Sequence, residues 1–268
     1  MRTNRIFWAV ILVAAGFLLL ANNLGLFDLN IWRLFWPVVL IILGVWFLVG
    51  TATGTSEFVM EEGSVDLGDA ESASIVIKYG AGRLKMDASA EEGKLVSGTF
   101  ANGLDARVNK VGSGLDVVLQ PSRQAFPDVL FPGNWISGKG LSWDCGLSKE
   151  IPLNLVFEVG ASENLLDLTD LKVKDLVLKT GASSTEIKLP AKAGTTHFKV
   201  EAGAASLDIH VPEGVAARVD TEAGLASVSV DQNRFPKQGG IYQSADFKTA
   251  DNKVDIRIET GMASIEIR

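Results

Sequence analysis

The side chains best suited to nucleophilic or metal chemistry in this chain are one cysteine, Cys145, and two histidines, His197 and His210. A thiol attacks or binds metal as its thiolate, which needs an electropositive, accessible setting. Cys145 lies instead in Ser142-Trp-Asp-Cys-Gly146, beside the acidic Asp144, and reads as a small buried hydrophobe rather than a nucleophile. His197 and His210 stand six residues before and seven after Gly203. Both positions are on the outward phase of a strand, and two solvated imidazoles without further ligands make no zinc site. Gly80-Ala-Gly82 and Gly112-Ser-Gly114 resemble fragments of phosphate loops, but neither has the third glycine, the Lys-Ser/Thr pair or the following helix that the chemistry needs. A G-x-S-x-G nucleophile elbow is also missing. The expectation is a chain without catalytic residues, metal site or cofactor.

The elements around these residues are built on a repeat. Six strand-like runs reach a glycine and resume as another strand, at Gly80, Gly160, Gly181, Gly203, Gly224 and Gly261, and four of those glycines fall 21, 22 and 21 residues apart. A fixed period in that range marks stacked units that bury one another's apolar faces. Before the glycine, positions minus 5 and minus 3 are mostly apolar, as in Leu155 and Phe157, Leu176 and Leu178, and Ile256 and Ile258. After it, plus 4 and plus 6 are mostly apolar, as in Leu207 and Ile209, and Val228 and Val230. Alternation on both sides means strands with one buried face. Glycine at the shared corner implies either a positive φ or a close approach between coils. Position minus 2 is charged in every unit. In-order parallel stacking would place Glu201 and Glu222 about 4.8 Å apart with Lys179 on the next coil. The row is either a cation strip or a solvated outer face, and screening favours the second.

The first fifty residues have a different composition. Of 25 basic and 32 acidic groups in the chain, only Arg2, Arg5, Arg33 and Asp28 lie there. The remainder is acidic and lacks a basic cluster, which argues against nucleic acid as a partner. Two apolar runs, about 6–27 and 34–50, are each long enough to cross a bilayer, and Trp8, Trp32, Trp36 and Trp46 sit near their ends. They read as a transmembrane hairpin over 1–50. A cleaved signal peptide is the competing reading, because Arg2 and Arg5 precede the first run. It is disfavoured by the lack of a small-x-small site and by the second run. The basic N-terminus is expected in the cytoplasm, so two crossings return the β domain to the cytoplasmic side.

Residues 51–74 read as a polar, acidic linker and 75–268 as an all-β domain, a single-stranded β-solenoid of glycine-cornered strand pairs. Strands are expected near 94–100, 105–111 and 115–120. The pattern breaks at 121–148, where Pro121, Pro127 and Pro132 alternate with Phe126, Phe131, Trp135 and Trp143. These rings either cap the open end of the apolar core or present a partner surface. A second interruption, 231–247, reads as an insertion at a turn.

Leu18-Leu-Leu20-Ala-Asn-Asn-Leu-Gly25, Ile31-Trp-Arg-Leu-Phe-Trp-Pro37 and Leu40-Ile-Ile-Leu-Gly44 resemble the N-terminal module of LiaF-like proteins, the cell-wall-active antibiotic response family. The stretch from Ile151-Pro-Leu through Gly160-Ala-Ser, Leu165-Leu-Asp-Leu168 and Leu176-Val-Leu-Lys-Thr-Gly181-Ala resembles their C-terminal toast-rack β domain. That resemblance implies a bacterial, multi-pass cell-membrane protein that binds another membrane protein, such as a sensor kinase, and modulates envelope-stress signalling. The family offers no catalytic residues to carry over. Association with a second copy through uncapped solenoid edges is a further expectation. The alternative function is an extracytoplasmic structural or adhesion-like module that binds envelope polymer, and a third is a hydrolase using Cys145.

Overall fold

The computed structural model describes residues 36–37, 39–41, 44–45, 59–122 and 142–268. The chain divides into two compact units, Met1–Gly54 and Thr55–Arg268. In the first, the described residues are helical. Among the described residues no helix is long and apolar enough to cross a membrane, and most of the expected hairpin lies outside them.

The second unit is all strand. In chain order its elements are β1 (Met60–Asp66), β2 (Ser72–Asp87), β3 (Lys94–Ala101), β4 (Leu104–Val111), β5 (Gly114–Pro121), β6 (Ser142–Leu147), β7 (Pro152–Asp167) and β8 (Lys172–Lys188). Then follow β9 (Thr195–His210), β10 (Ala216–Val230), β11 (Lys237–Gln238), β12 (Ile241–Gln243) and β13 (Lys253–Ile267). Six long strands stack in parallel register in the order β2-β7-β8-β9-β13-β10. Each carries its glycine near the middle, and the alternation slips there. Leu153, Leu155, Phe157 and Val159 are buried before Gly160, whereas Ser162, Asn164 and Leu166 are buried after it. The slip lets two arms of one strand turn their inner faces toward a single apolar core. Short turns return the chain to the next coil, and Leu168, Leu171, Leu189 and Val211 from those turns are buried in the same core.

None of Gly80, Gly160, Gly181, Gly203, Gly224 and Gly261 is a positive-φ glycine, and all but Gly80, which has open space at its Cβ position, are required by close approach. A Cβ on Gly203 would meet the Gly181 carbonyl oxygen at 2.9 Å, one on Gly261 the Gly203 oxygen at 3.0 Å, and one on Gly224 the Gly261 oxygen at 3.1 Å. Corner is thus stacked on corner through backbone alone.

Three features correct the sequence reading. The last two coils are out of order, because β13 inserts between β9 and β10. The interruption before it is more than an enlarged turn: it carries the β11–β12 hairpin, whose β12 pairs with the first arm of β10 and buries Phe235 and Tyr242. The expected linker 51–74 contains β1, paired antiparallel with β3. Only Val65 of β1 is buried, so its acidic edge leaves no periodic apolar signal. The strands expected near 94–100, 105–111 and 115–120 are β3, β4 and β5.

Candidate functional site

The glycine column forms the floor of an open groove of about 1010 Å³. Its floor is the corner residues of β2, β7, β8 and β9, from Gly80 through Gly160 and Gly181 to Gly203. Along one wall run the side chains two residues before each glycine. In stack order these are Lys78, Glu158, Lys179, Glu201, Glu259 and Glu222. The first four alternate in sign, with Lys78 3.4 Å from Glu158 and Lys179 3.9 Å from Glu201. Arg107, Gln120 and Pro121 line the groove as well.

At the other end three carboxylates are consecutive. Glu259, not Glu222, is the neighbour of Glu201, because β13 lies between β9 and β10. Basic groups two positions earlier on their own strands neutralise the row. Lys199 reaches Glu201 at 2.7 Å and Glu259 at 3.5 Å, and Arg257 reaches Glu259 at 3.2 Å and Glu222 at 3.0 Å. The hydrogen bond from Lys199 holds the Glu201 carboxyl below its ordinary range, against a smaller opposing effect of burial. These carboxylates are engaged in ion pairs, which fits a solvated outer face better than a cation strip. Reading position minus 4 beside minus 2 would have found Lys199 and Arg257, where β2, β7 and β8 have Val76, Val156 and Val177.

The chemistry-bearing residues are kept apart. His197 and His210 are exposed on different arms of β9. Cys145 is 2% exposed on β6, and its thiol is pushed up to about 12 by burial first and then by the charges of Asp144 and Asp87. It is therefore a thiol at neutral pH. Its register neighbour on β2 is Met86. Tyr79 is buried, its phenol is pushed up chiefly by burial, and its hydroxyl donates to the Arg83 carbonyl at 3.0 Å. Among the described residues no cluster of three or more His, Cys, Asp or Glu is placed to hold a metal ion.

Of the four aromatics expected as a partner surface, Phe126, Phe131 and Trp135 lie outside the described residues. Trp143 belongs to β6 and is 1% exposed, its ring 5.2 Å from Tyr79 and 5.0 Å from Phe100 between centroids. It is a core residue, since Trp143, Cys145 and Leu147 alternate inward along β6. The expected contact surface therefore does not include Trp143. Pro121 and Ser142 end strands on two sides of the same place: β5 pairs with the first arm of β2 and β6 with its second arm. Together they form a further layer over the two arms of β2.

Residues 54–210 match the family model described as the N-terminal domain of toast_rack, DUF2154. The chain belongs to that toast-rack family. Residues 6–48 match the LiaI-LiaF-like transmembrane region, so this is a LiaF-like protein with an N-terminal transmembrane region and a toast-rack domain. No curated protein matches it. The toast-rack protein is also similar to a crystal structure from Clostridium sporogenes ATCC 15579, described at 1.95 Å as a candidate cell adhesion protein. The likeness has a TM-score of 0.67 at 20% identity and covers 79% of this chain and 100% of that one. At that identity the shared property is the fold.

Proposed function

We propose that this protein is a membrane-anchored, non-enzymatic interaction module whose β-solenoid engages another membrane protein and thereby modulates envelope-stress signalling. The observation that carries it is the joining, within one chain, of a LiaI-LiaF-like transmembrane region at 6–48 to a toast-rack domain beginning at 54. Two helices in 1–50 form the anchor and return the solenoid to the cytoplasmic face, where a sensor kinase presents its signalling domains. The stacked coils supply a rigid contact face. The glycine-corner groove is the part suited to a partner, because its alternating Lys78, Glu158, Lys179 and Glu201 favour a segment of complementary charge over an apolar ligand.

The test is cross-linking and co-purification of the full-length protein from membranes of stressed and unstressed cells. One membrane protein is expected to be recovered reproducibly, and the paired reversal Lys78→Glu with Lys179→Glu is expected to reduce its recovery. Recovery of no protein partner in either condition sinks the proposal.

A second reading, an extracytoplasmic module that binds envelope polymer, draws support from the adhesion description of the structural relative. Sidedness separates the two. In intact cells a membrane-impermeant thiol reagent is expected to leave Ser56→Cys unlabelled and to label it only after permeabilisation. Labelling in intact cells supports the second reading.

A further inference from the structure

The two ends of the coil stack are finished differently. At one end, the first arm of β2 is covered by β5 and then β4, and its second arm by β6, β3 and β1. At the other end, β12 pairs with β10 only at Arg218 and Val219. Beyond that point no strand among the described residues covers the outer edge of β10, so the whole second arm of that strand has an open ladder.

That arm also lacks the usual protection. The outermost strands β1 and β4 carry Glu61, Glu62 and Asp66, and Asp105, Arg107 and Lys110, respectively. Charges of this kind discourage further strand pairing. From Leu225 to Val230 β10 has neither a charge nor a proline. At the fifth position after the glycine, where four of the other five coils have a charge (Lys85, Glu186, Asp208 and Glu266) and β7 has Leu165, it has Ser229. The core is left incomplete as well. Val228 is only half-buried, whereas its counterparts Leu84, Thr185, Leu207 and Ile265 are 0 to 2% exposed. Leu225 is 77% exposed beside its register partner Met262 at 59%.

We propose that this edge pairs antiparallel with the same edge of a second copy of the chain, about a two-fold axis through Val228. An isologous interface needs a self-complementary segment. Ala226-Ser-Val-Ser-Val230 reads apolar-Ser-Val-Ser-apolar in both directions. Antiparallel pairing about its midpoint sets Val228 against its own copy, Ala226 against Val230, and Ser227 against Ser229. Inward side chains then face inward side chains, so the two cores become continuous, and no like charges are opposed. Such self-matching favours a second copy over a strand of unrelated sequence. This inference stands apart from the proposed signalling partner, whose groove lies at the glycine corner.

The test uses the full-length chain in its own membranes, with Val228→Cys oxidised by copper phenanthroline. Opposed residues in such a pair have Cβ atoms about 4.5–5.5 Å apart, close enough for a disulfide after slight adjustment. Cys145 is buried, so the unsubstituted chain supplies the background. Ser206→Cys, exposed on the interior coil β9, is the control for chance encounters. Val228→Cys is expected to give at least about tenfold more disulfide-linked dimer than Ser206→Cys, because a formed interface raises the effective thiol concentration. Adding Ser227→Lys with Ser229→Lys should abolish that dimer. Equal yields from the two cysteine variants, a cross-link only to a different protein, or a dimer that survives the paired lysines would each overturn the proposal. Should Val228→Cys not fold, light scattering of the detergent-solubilised unsubstituted chain decides. A dimer mass that becomes monomeric with the paired lysines supports the edge pairing, and a monomer from the start refutes it.

Discussion

Six glycines with the same sequence context are not equivalent in the fold. A methyl group on Gly203 would sit 2.9 Å from the Gly181 carbonyl oxygen, a backbone atom that cannot rotate away. Gly203→Ala is therefore expected to destabilise the domain by about 1–3 kcal/mol, the range for overpacking. Gly80 has open space at the same point and no positive φ, so Gly80→Ala should be neutral or stabilising by about 0.4–1 kcal/mol. Chemical denaturation of the pair checks both signs, and equal effects would refute the stacking account. Asn164 offers a second test. It is buried at a position that is apolar in most other coils, its amide donates to the Thr185 hydroxyl at 2.9 Å, and its carbonyl oxygen has no partner. Thr185→Val alone should cost about 1–3 kcal/mol by stranding the amide, while Asn164→Leu with Thr185→Val should be close to neutral. Glu201 sets a pH dependence. Its carboxyl pKa is depressed in the fold, so its contribution is present above the unfolded carboxylate range and is lost as pH falls through the folded value. Lys199→Met removes the largest cause and should move the acid-unfolding midpoint upward, only slightly because the pair is exposed. Circular dichroism against pH would show it, and an unchanged midpoint would remove this ion pair from the stability argument.

At the scale of elements, the two arms of each coil were legible because burial on one face imposes period 2 on both sides of Gly160, Gly181, Gly203, Gly224 and Gly261. The order of coils was not legible. β10 and β13 carry the same local pattern, and nothing in Val219 or Ile256 says which one lies against Phe198. Only the connections differ. Five residues join β9 to β10, whereas 231–252 are needed to build the β11–β12 cover and return β13 to the gap. The charged wall was half legible for the same reason. Glu201 and Glu222 were visible as outward groups, but their common neighbour Glu259 follows from strand order alone. Trp143 was visible as an aromatic in a proline-rich stretch, and its inward phase only from alternation with Cys145 and Leu147. Trp143→Ala is accordingly expected to cost about 3–5 kcal/mol of stability, the range for deleting a buried large aromatic ring. A stability near that of the unsubstituted protein, with lost partner recovery, would return Trp143 to the contact surface.

For the molecule as a whole, the insertion of β13 between β9 and β10 changes what removal of that strand does. In a solenoid stacked in chain order, the last strand is an end coil, and removing it exposes one face and costs little elsewhere. Here the last strand is an interior coil, with β9 on one side and β10 on the other. Val254, Ile256, Ile258, Ile265 and Ile267 fill the layer between them, each at most 1% exposed. Deletion of 253–268 therefore opens a gap one coil high between β9 and β10, and β10 with its β11–β12 cover loses the ladder that holds it. Amide hydrogen exchange is expected to show loss of protection across 216–230, with protection retained in β7 and β8, whose contacts lie on the other side of the break. Retained protection across 216–230 would mean that β10 had closed onto β9. The in-order stack would then be an accessible alternative, and β13 would be an added layer rather than the element that fixes the end of the solenoid.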